Sequence, residues 1–271
     1  MSLTEMIGEW DTFHQMASKS ELKPTLHSKT FDTDKLTLVL MGDMHIGSKF
    51  YDADRHKEIL EWCWEQKTPL ILMGDNIEAA TRDSVGAGVY EQSEIIEEQV
   101  EHFYHLFKPF AKEGLILGMH EGNHEARVYK ATGFDLAKNM ARQLGISYFS
   151  YSKLHNLIVG NQSYTMYTTH GASGATKPHT KIKGALDLSH VADTEIYAMG
   201  HVHTLDHHVR TYYEVDKRNK KIVQKKKHFI ITGSYLSHWG SYGHIKNMEP
   251  SPIGSPKLKL SGVEHEVRVS L

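Results

Sequence analysis

The chain is poor in three things, and each shortage narrows what it can be. It has one cysteine, Cys63, in 271 residues. That leaves no partner for an intramolecular disulfide and rules out a thiolate zinc knuckle or an iron–sulfur centre. No stretch approaches the roughly 20 apolar residues that span a bilayer, so no membrane association is expected. Residues 1–29 lack the apolar run of a secretory leader, which makes a reducing, cytoplasmic setting the expected one. Net charge is also small: 31 Lys and Arg against 33 Asp and Glu give −2. Such a balance argues against a basic coat for nucleic acid while allowing a local patch. Hydrophobic residues at 39% and charged residues at 24% describe a globular chain able to bury a core. What is plentiful is histidine, with 20 residues. An imidazole-rich, thiol-poor chain leans toward histidine and carboxylate metal chemistry, although surface histidines would give the same count.

Hydrophobic patterning gives the organisation. Residues 36–41 (LTLVLM) read as a buried strand ending in Gly42-Asp43, and residues 70–73 (LILM) as a second ending in Gly74-Asp75. Between them, residues 54–66 have a helical face of Ile59, Leu60 and Cys63, closed off by Pro69. A helix over residues 91–108 carries Ile96, Val100, Phe103 and Phe107 in one stripe of a 3.6-residue period. Residues 115–119 form a third strand. Strands alternating with helices imply parallel pairing through right-handed crossovers. The second half reads as β-rich. Residues 154–159 and 163–169 flank a Gly160-Asn161 turn, and residues 195–199 form a further strand. Residues 209–215 and 222–232 read as a longer hairpin with a basic tip. Val263, His265, Val267 and Val269 alternate as a half-buried strand should, and residues 248–259, with three prolines, read as a loop. No repeat or linker marks a boundary, so residues 1–271 are read as one domain, with an extension over 1–33 and the fold over 34–271.

Acids and histidines fall where strands end. Asp43 and His45 follow the first strand, Asp75 the second, and Asn123 and His124 the third. His170 ends the 163–169 strand, and His201 and His203 follow the 195–199 strand. Loops at the carboxyl ends of parallel strands converge on one crevice, and the i, i+2 spacing of Asp43 with His45 and of His201 with His203 lets two side chains reach one pocket. Two aspartates, four imidazoles and an amide oxygen suit first-row divalent ions. Seven ligands exceed the needs of a single ion, so two ions are implied, with a carboxylate able to bridge them and a hydroxide between them as the attacking group. Asp, Asn and His after strands also serve as turn formers, but here type, order and spacing agree across five segments.

The order GDMH, GDN, GNHE, a lone His-Gly and GHVH, spanning Asp43 to His203, resembles the calcineurin-like metallophosphoesterase superfamily. Thr232-Gly233-Ser234 is similar to the turn that follows the last motif there. The resemblance implies an α/β fold of two mixed β-sheets packed face to face with helices outside, a four-layer α/β/β/α sandwich. It implies one metal held by Asp43, His45, His203 and a bridging Asp75, and a second held by Asp75, Asn123, His170 and His201. Manganese is the first choice for both ions, with iron or zinc as alternatives. His124 is the implied catalytic residue, stabilising the transition state or protonating the leaving oxygen. Phosphoprotein phosphatases have an acid three residues after the bridging Asp, where this chain has Glu78, one methylene longer. The arginine that follows it there is Ala79 here, which argues against that branch. A narrower likeness covers residues 43–49, the helix near Trp62 and residues 86–92 (GAGVYEQ). It resembles the phosphoesterase domain of the small subunit of archaeal family-D DNA polymerase and, in His-Ile-Gly, the double-strand-break repair nucleases. Hydrolysis of a phosphodiester, with DNA or RNA as the candidate substrate, is therefore expected. A small-molecule phosphomonoesterase or nucleotidase and a catalytically silent partner-binding module are the alternatives.

Several groups carry two readings. The cluster Lys217, Arg218, Lys220, Lys221, Lys225, Lys226 and Lys227 can grip a nucleic-acid backbone or blunt a sheet edge. His120, Glu121, Arg127 and Tyr129 can touch substrate or simply be solvated. Residues 81–90 can form a lid or a plain connection. His238, Trp239, Tyr242 and His244 can stack on a base, with Trp239 in the core as the other reading. Cys63 reads as a small buried hydrophobe.

Overall fold

The structure, a computed structural model, describes residues 2–4, 7–8, 10, 25–82, 84, 88–172 and 174–271. In chain order the strands are β1 (Leu26–Phe31), β2 (Lys35–Met41), β3 (Leu70–Leu72), β4 (Ile116–His120), β5 (Tyr148–Ser150), β6 (Ser152–Val159), β7 (Gln162–Thr169), β8 (Ile196–Met199), β9 (Leu205–Asp216), β10 (Lys221–Thr232), β11 (Lys257–Ser261) and β12 (Val267–Ser270). The main helices are α1 (Ala53–Glu65), α2 (Ile96–Lys112), α3 (Asn123–Thr132), α4 (Leu136–Leu144) and α5 (Pro178–Asp187).

Two six-stranded sheets result, in the orders β12-β11-β2-β3-β4-β5 and β1-β6-β7-β8-β10-β9. Both are mixed. β2, β3, β4 and β5 run parallel while β11 joins β2 antiparallel, and β7, β8 and β10 run parallel between antiparallel partners. The period of two along a strand builds the layers. In β2, Leu36, Leu38 and Leu40 face the second sheet, and in β10 Ile230 faces back toward the first, forming one core with Ile71, Leu157, Tyr164 and Met166. The alternate residues Val39 and Met41 face Phe103 and Phe107 of α2, whose rings lie 4.8 Å apart. On the far side, Phe229 and Ile231 pack on Ala185 of α5. This is the face-to-face sandwich with outer helices expected above. Cys63 is fully buried in the first helical layer. Among the described residues no helix is long and apolar enough to cross a membrane.

Local chemistry sets the helix ends. The Asp52 carboxylate caps α1 by accepting from the Arg55 N–H at 3.0 Å, and Glu98 reaches back to the Ile95 N–H at 2.9 Å. α2 starts five residues later than the pattern suggests. Glu91 and Ser93 are pledged to the loop after β2, through Lys49 N to Glu91 O at 2.9 Å and Ser93 N to Gly47 O at 2.8 Å. Two readings near the C-terminus are corrected. Val263 is 64% exposed and lies in a turn whose carbonyls converge on the Tyr164 hydroxyl, so the last strand covers only Val267–Ser270. Residues 257–259, read as loop because of the prolines before them, belong to β11, where buried Leu258 and Leu260 alternate with lysines.

A polar joint crosses between the sheets. His120 of β4 and His155 of β6 both place Nε2 2.7 Å from the Thr168 hydroxyl of β7, and His155 Nδ1 is 3.1 Å from His27 Nδ1 of β1. Burial pushes His120 down to about 3 and His155 down to about 2. Both rings are therefore neutral when folded, whereas an unfolded imidazole protonates near 6.5. Their contribution is present above pH 6.5 and is lost as the pH falls toward the folded values. Replacing His155 with Gln should therefore lessen the fall in unfolding free energy between pH 6.5 and pH 5 by about 2 kcal/mol in urea titrations. Parallel pH profiles for the two proteins would show that His155 is not held neutral.

Candidate metal centre

β2, β3 and β4 of one sheet and β7, β8 and β10 of the other end at a shared rim. There the loops lock together through backbone bonds, Asp43 N to Gly74 O at 2.9 Å, His45 N to Asp75 O at 3.0 Å and Tyr235 N to Asp43 O at 3.0 Å. The lock bends the chain hard. Asp43, His45, Asp75, His201 and His203 have φ values of 51°, 52°, 48°, 70° and 49°, the left-handed region that side-chain-bearing residues rarely adopt. Glycine is needed where loops touch. A Cβ on Gly122 would fall 2.1 Å from both N and Oδ1 of Asp75, and one on Gly200 would fall 2.7 Å from Asp43 Oδ2.

The seven residues expected as ligands lie together at this rim. Asp43, His45, Asp75 and His203 place ligand atoms within 4.8 Å of one another, and so do Asp75, His170 and His201. Asp75 belongs to both groups. Asn123 Oδ1 joins the second group, 3.1 Å from His170 Nε2. His203 Nε2 is 3.2 Å from Asp43 Oδ1 and 3.1 Å from His45 Nε2, and His170 Nε2 is 3.3 Å from Asp75 Oδ2. Backbone donors hold the carboxylates, with His201 N on both Asp43 oxygens at 3.0 and 2.9 Å and His124 N on Asp75 Oδ1 at 2.8 Å.

Second partners fix which nitrogen faces inward. His170 Nδ1 lies 2.9 Å from the Met73 carbonyl and His45 Nδ1 lies 3.1 Å from Glu78 Oε2, so both rings donate outward and aim Nε2 at the carboxylates. His201 Nδ1 is buried with no hydrogen-bond partner. Lone pairs converging on two buried carboxylates repel unless a cation or a proton sits among them. The donor set therefore fits divalent ions. Without a metal, protons take that place. Burial pushes His170 down, but the Asp75 carboxylate outweighs it and raises the ring to about 10. Burial likewise opposes a carboxylate at Asp75, yet His170 and His124 hold it well below the usual range. His45 is pushed down by burial and by His124, and His201 by burial and by His170.

His124 opens α3 beside this centre. Its Nδ1 is 2.7 Å from the Glu78 carbonyl and 3.4 Å from Glu78 Oε1, and its Nε2 is 3.8 Å from Asp75 Oδ2. Burial opposes its proton, but Asp75 and Glu78 raise it to about 9. Glu78 thus reaches both His124 and His45 despite its extra methylene. Arg127, one helical turn on, lies along the His124 ring with nitrogens 2.9 Å from Nε2 and 3.1 Å from Nδ1.

The other sequence candidates divide. His120 and Glu121 are buried, not solvated, while Tyr129 is 54% exposed. Trp239 is 78% exposed and so is not core; its ring centroid is 4.6 Å from that of His244, on a segment tied to the loop after β2 by Ser237 N to Phe50 O at 2.8 Å. The Tyr242 side chain, and residues 83 and 85–87 of the 81–90 segment, lie outside the described residues. Lys227 is engaged by Asp193 at 2.5 Å and Lys225 lies 4.0 Å from Glu214, while Lys217, Arg218 and Lys220 form the exposed tip.

One further residue braces the centre. Glu125, fully buried, accepts from the backbone N–H groups of Asp75 at 3.2 Å, Asn76 at 2.6 Å, Ile77 at 3.3 Å and Gly122 at 2.9 Å. A Glu three residues after the Gly that precedes a helix is the hint, since it can turn back on that N-terminus. Glu125→Ala should lower unfolding free energy by about 4 kcal/mol in urea melts, with Glu125→Gln intermediate, because it strands several buried N–H groups.

No family model matches the chain, and no curated protein matches it. Among solved structures it is similar to a conserved Streptococcus pneumoniae protein described as a predicted phosphoesterase, at 13% identity over 87% of this chain and 88% of that one, TM-score 0.37. It is also similar to vacuolar protein sorting 29 from Cryptosporidium parvum, at 16% identity over 87% and 97%, TM-score 0.42. The Entamoeba histolytica Vps29 complexed with zinc gives 14% identity over 87% and 97%, TM-score 0.40.

Proposed function

We propose that this chain is a metal-dependent phosphoester hydrolase of the calcineurin-like kind, acting on a phosphodiester, with nucleic acid as the preferred substrate class. One observation carries the reading: two clusters of imidazole and carboxylate donors share Asp75 at the rim where both sheets end. Asp43, His45, Asp75 and His203 would hold one divalent ion, and Asp75, Asn123, His170 and His201 the other, with manganese the first choice. When bound, such a pair polarises phosphoryl oxygens and lowers the pKa of water.

The protein's own side chains supply the rest. Glu78 orients His45 through Nδ1 and, with its carbonyl, fixes the His124 ring. His124, held between Asp75 and Glu78, is placed to pass a proton to the leaving oxygen as general acid. Arg127 is the cation beside that ring. It can turn to a phosphate oxygen and oppose the charge that grows there. The exposed ring of Trp239, with His244 set edge-on to it, offers a stacking face for a base.

Chelated protein should have no turnover of bis(p-nitrophenyl) phosphate and regain it with Mn²⁺. Asp75→Ala should abolish metal binding in calorimetry. His124→Ala should keep the metal and lose about 10²- to 10⁴-fold in kcat. Faster turnover of p-nitrophenyl phosphate than of the diester would move the assignment to a monoesterase. Metal binding without turnover of any phosphoester would leave a binding module.

A further inference from the structure

The four sheet edges differ in length. β1, β5 and β12 have 6, 3 and 4 residues, whereas β9 has 12. β9 pairs with β10 along its whole length, and no strand among the described residues covers its other side. β8 accompanies β10 only at residues 228–231, so residues 210–227 extend past it as a two-stranded ribbon. A long open edge without proline invites another strand. Its side chains are also apolar in part. Tyr213, Val215 and Ile222 are 73%, 65% and 72% exposed, and Val209 is 41% exposed. The register puts all four on one face of the ribbon.

Charge says which strand would fit. The sequence of β9 is balanced about Tyr212, with Arg210 two residues before it and Glu214 two after, and with Val209 three before and Val215 three after. An antiparallel copy centred on Tyr212 sets Arg210 against the partner's Glu214, twice, and Val209 against the partner's Val215, twice. Centring on Arg210 or on Glu214 sets like charges against each other. Centring on Thr211 opposes Asp206 to the partner's Asp216. Centring on Tyr213 sends Arg210 to the partner's Asp216 but breaks the apolar match, setting Val209 against the partner's Lys217 and Val215 against the partner's Thr211.

We propose that β9 is the seam of a symmetric homodimer, in which a second copy of this chain pairs antiparallel along the open edge with the two-fold axis at Tyr212. Backbone hydrogen bonds continue each β9/β10 ribbon into the other, and the two Arg210–Glu214 contacts set the register. The occupant is another copy, not the nucleic acid that the lysines at the tip would suggest.

Sedimentation velocity of the full chain over a dilution series should show a monomer–dimer equilibrium. Arg210→Glu and Glu214→Arg should each weaken it by about 100-fold. The double variant should largely restore it, and the far-UV circular dichroism of all three variants should match the wild type because both side chains are exposed. Cys63 is buried and is the one native cysteine, so Tyr212→Cys adds the sole accessible thiol. Oxidation of that variant should link two copies. A monomer at every concentration overturns the proposal, as does a dimer indifferent to both reversals or a double variant that stays dissociated. A persistent dimer that Tyr212→Cys fails to cross-link overturns the register, and a monomer that binds DNA through the ribbon overturns the choice of partner.

Discussion

Two carboxylates buried beside each other are what the rest of this molecule has to accommodate. Asp43 and Asp75 are essentially inaccessible, and their ion-pair partners among the described residues are imidazoles alone. Burying an anion costs several kcal/mol unless positive charge or well-aimed donors surround it. The fold supplies both. His201 and His124 give backbone N–H groups, and imidazoles arrive from the ends of both sheets. Glu78 and Glu125 add two more buried acids close by, and Glu125 is the deeper of them. It is stabilised separately by four backbone donors, and burial together with Asp75 raises its pKa. Protons on the imidazoles can balance this charge, and a divalent ion bound there would displace them, releasing protons as it entered.

The strained backbone follows from the same requirement. Five of the seven ligand candidates have positive φ. Left-handed turns are what let a loop leave a strand and fold its side chain back toward the rim. The bonds between the loops after β2 and β3, and the contact of Gly122 with Asp75, keep those turns from relaxing. Strain of this kind persists only where surrounding structure over-determines it.

Much of this was legible in the sequence, for identifiable reasons. Four of the strands that carry candidate ligands are short apolar runs followed by Gly-Asp, Gly-Asn or Gly-His, signals that survive without tertiary information; β7 is the exception, a mixed strand that runs directly into His170-Gly171. β1 was not legible, because it is polar, largely exposed and pairs only with β6. β11 was hidden by the prolines before it, although Leu258 and Leu260 carried the alternation. The helices α3, α4 and α5 were not legible either, and Asn123 and His124 lie in the first turn of α3 and not in a loop. Histidine abundance was ambiguous for a chemical reason. A candidate ligand such as His45 or His170 and a core imidazole such as His120 or His155 are alike buried, and each is fixed by a hydrogen bond through one nitrogen. Only the partner of the other nitrogen separates them, and that partner comes from a distant segment.

The alternation along β2 also bears on how such a chain can vary over evolutionary time. Leu38 and Leu40 face the second sheet and Val39 and Met41 face the helices, and Asp43 follows two residues later. Deleting one residue within this strand would turn every side chain to the wrong layer and draw Asp43 off the rim. The same holds for each strand that feeds the centre. The turn at residues 217–220 has no such constraint, so the chain can lengthen or shorten there while all seven donors keep their places. Lineages of this protein should accumulate insertions at that tip and substitutions in the outer helices, and keep the count of residues through the inner strands fixed.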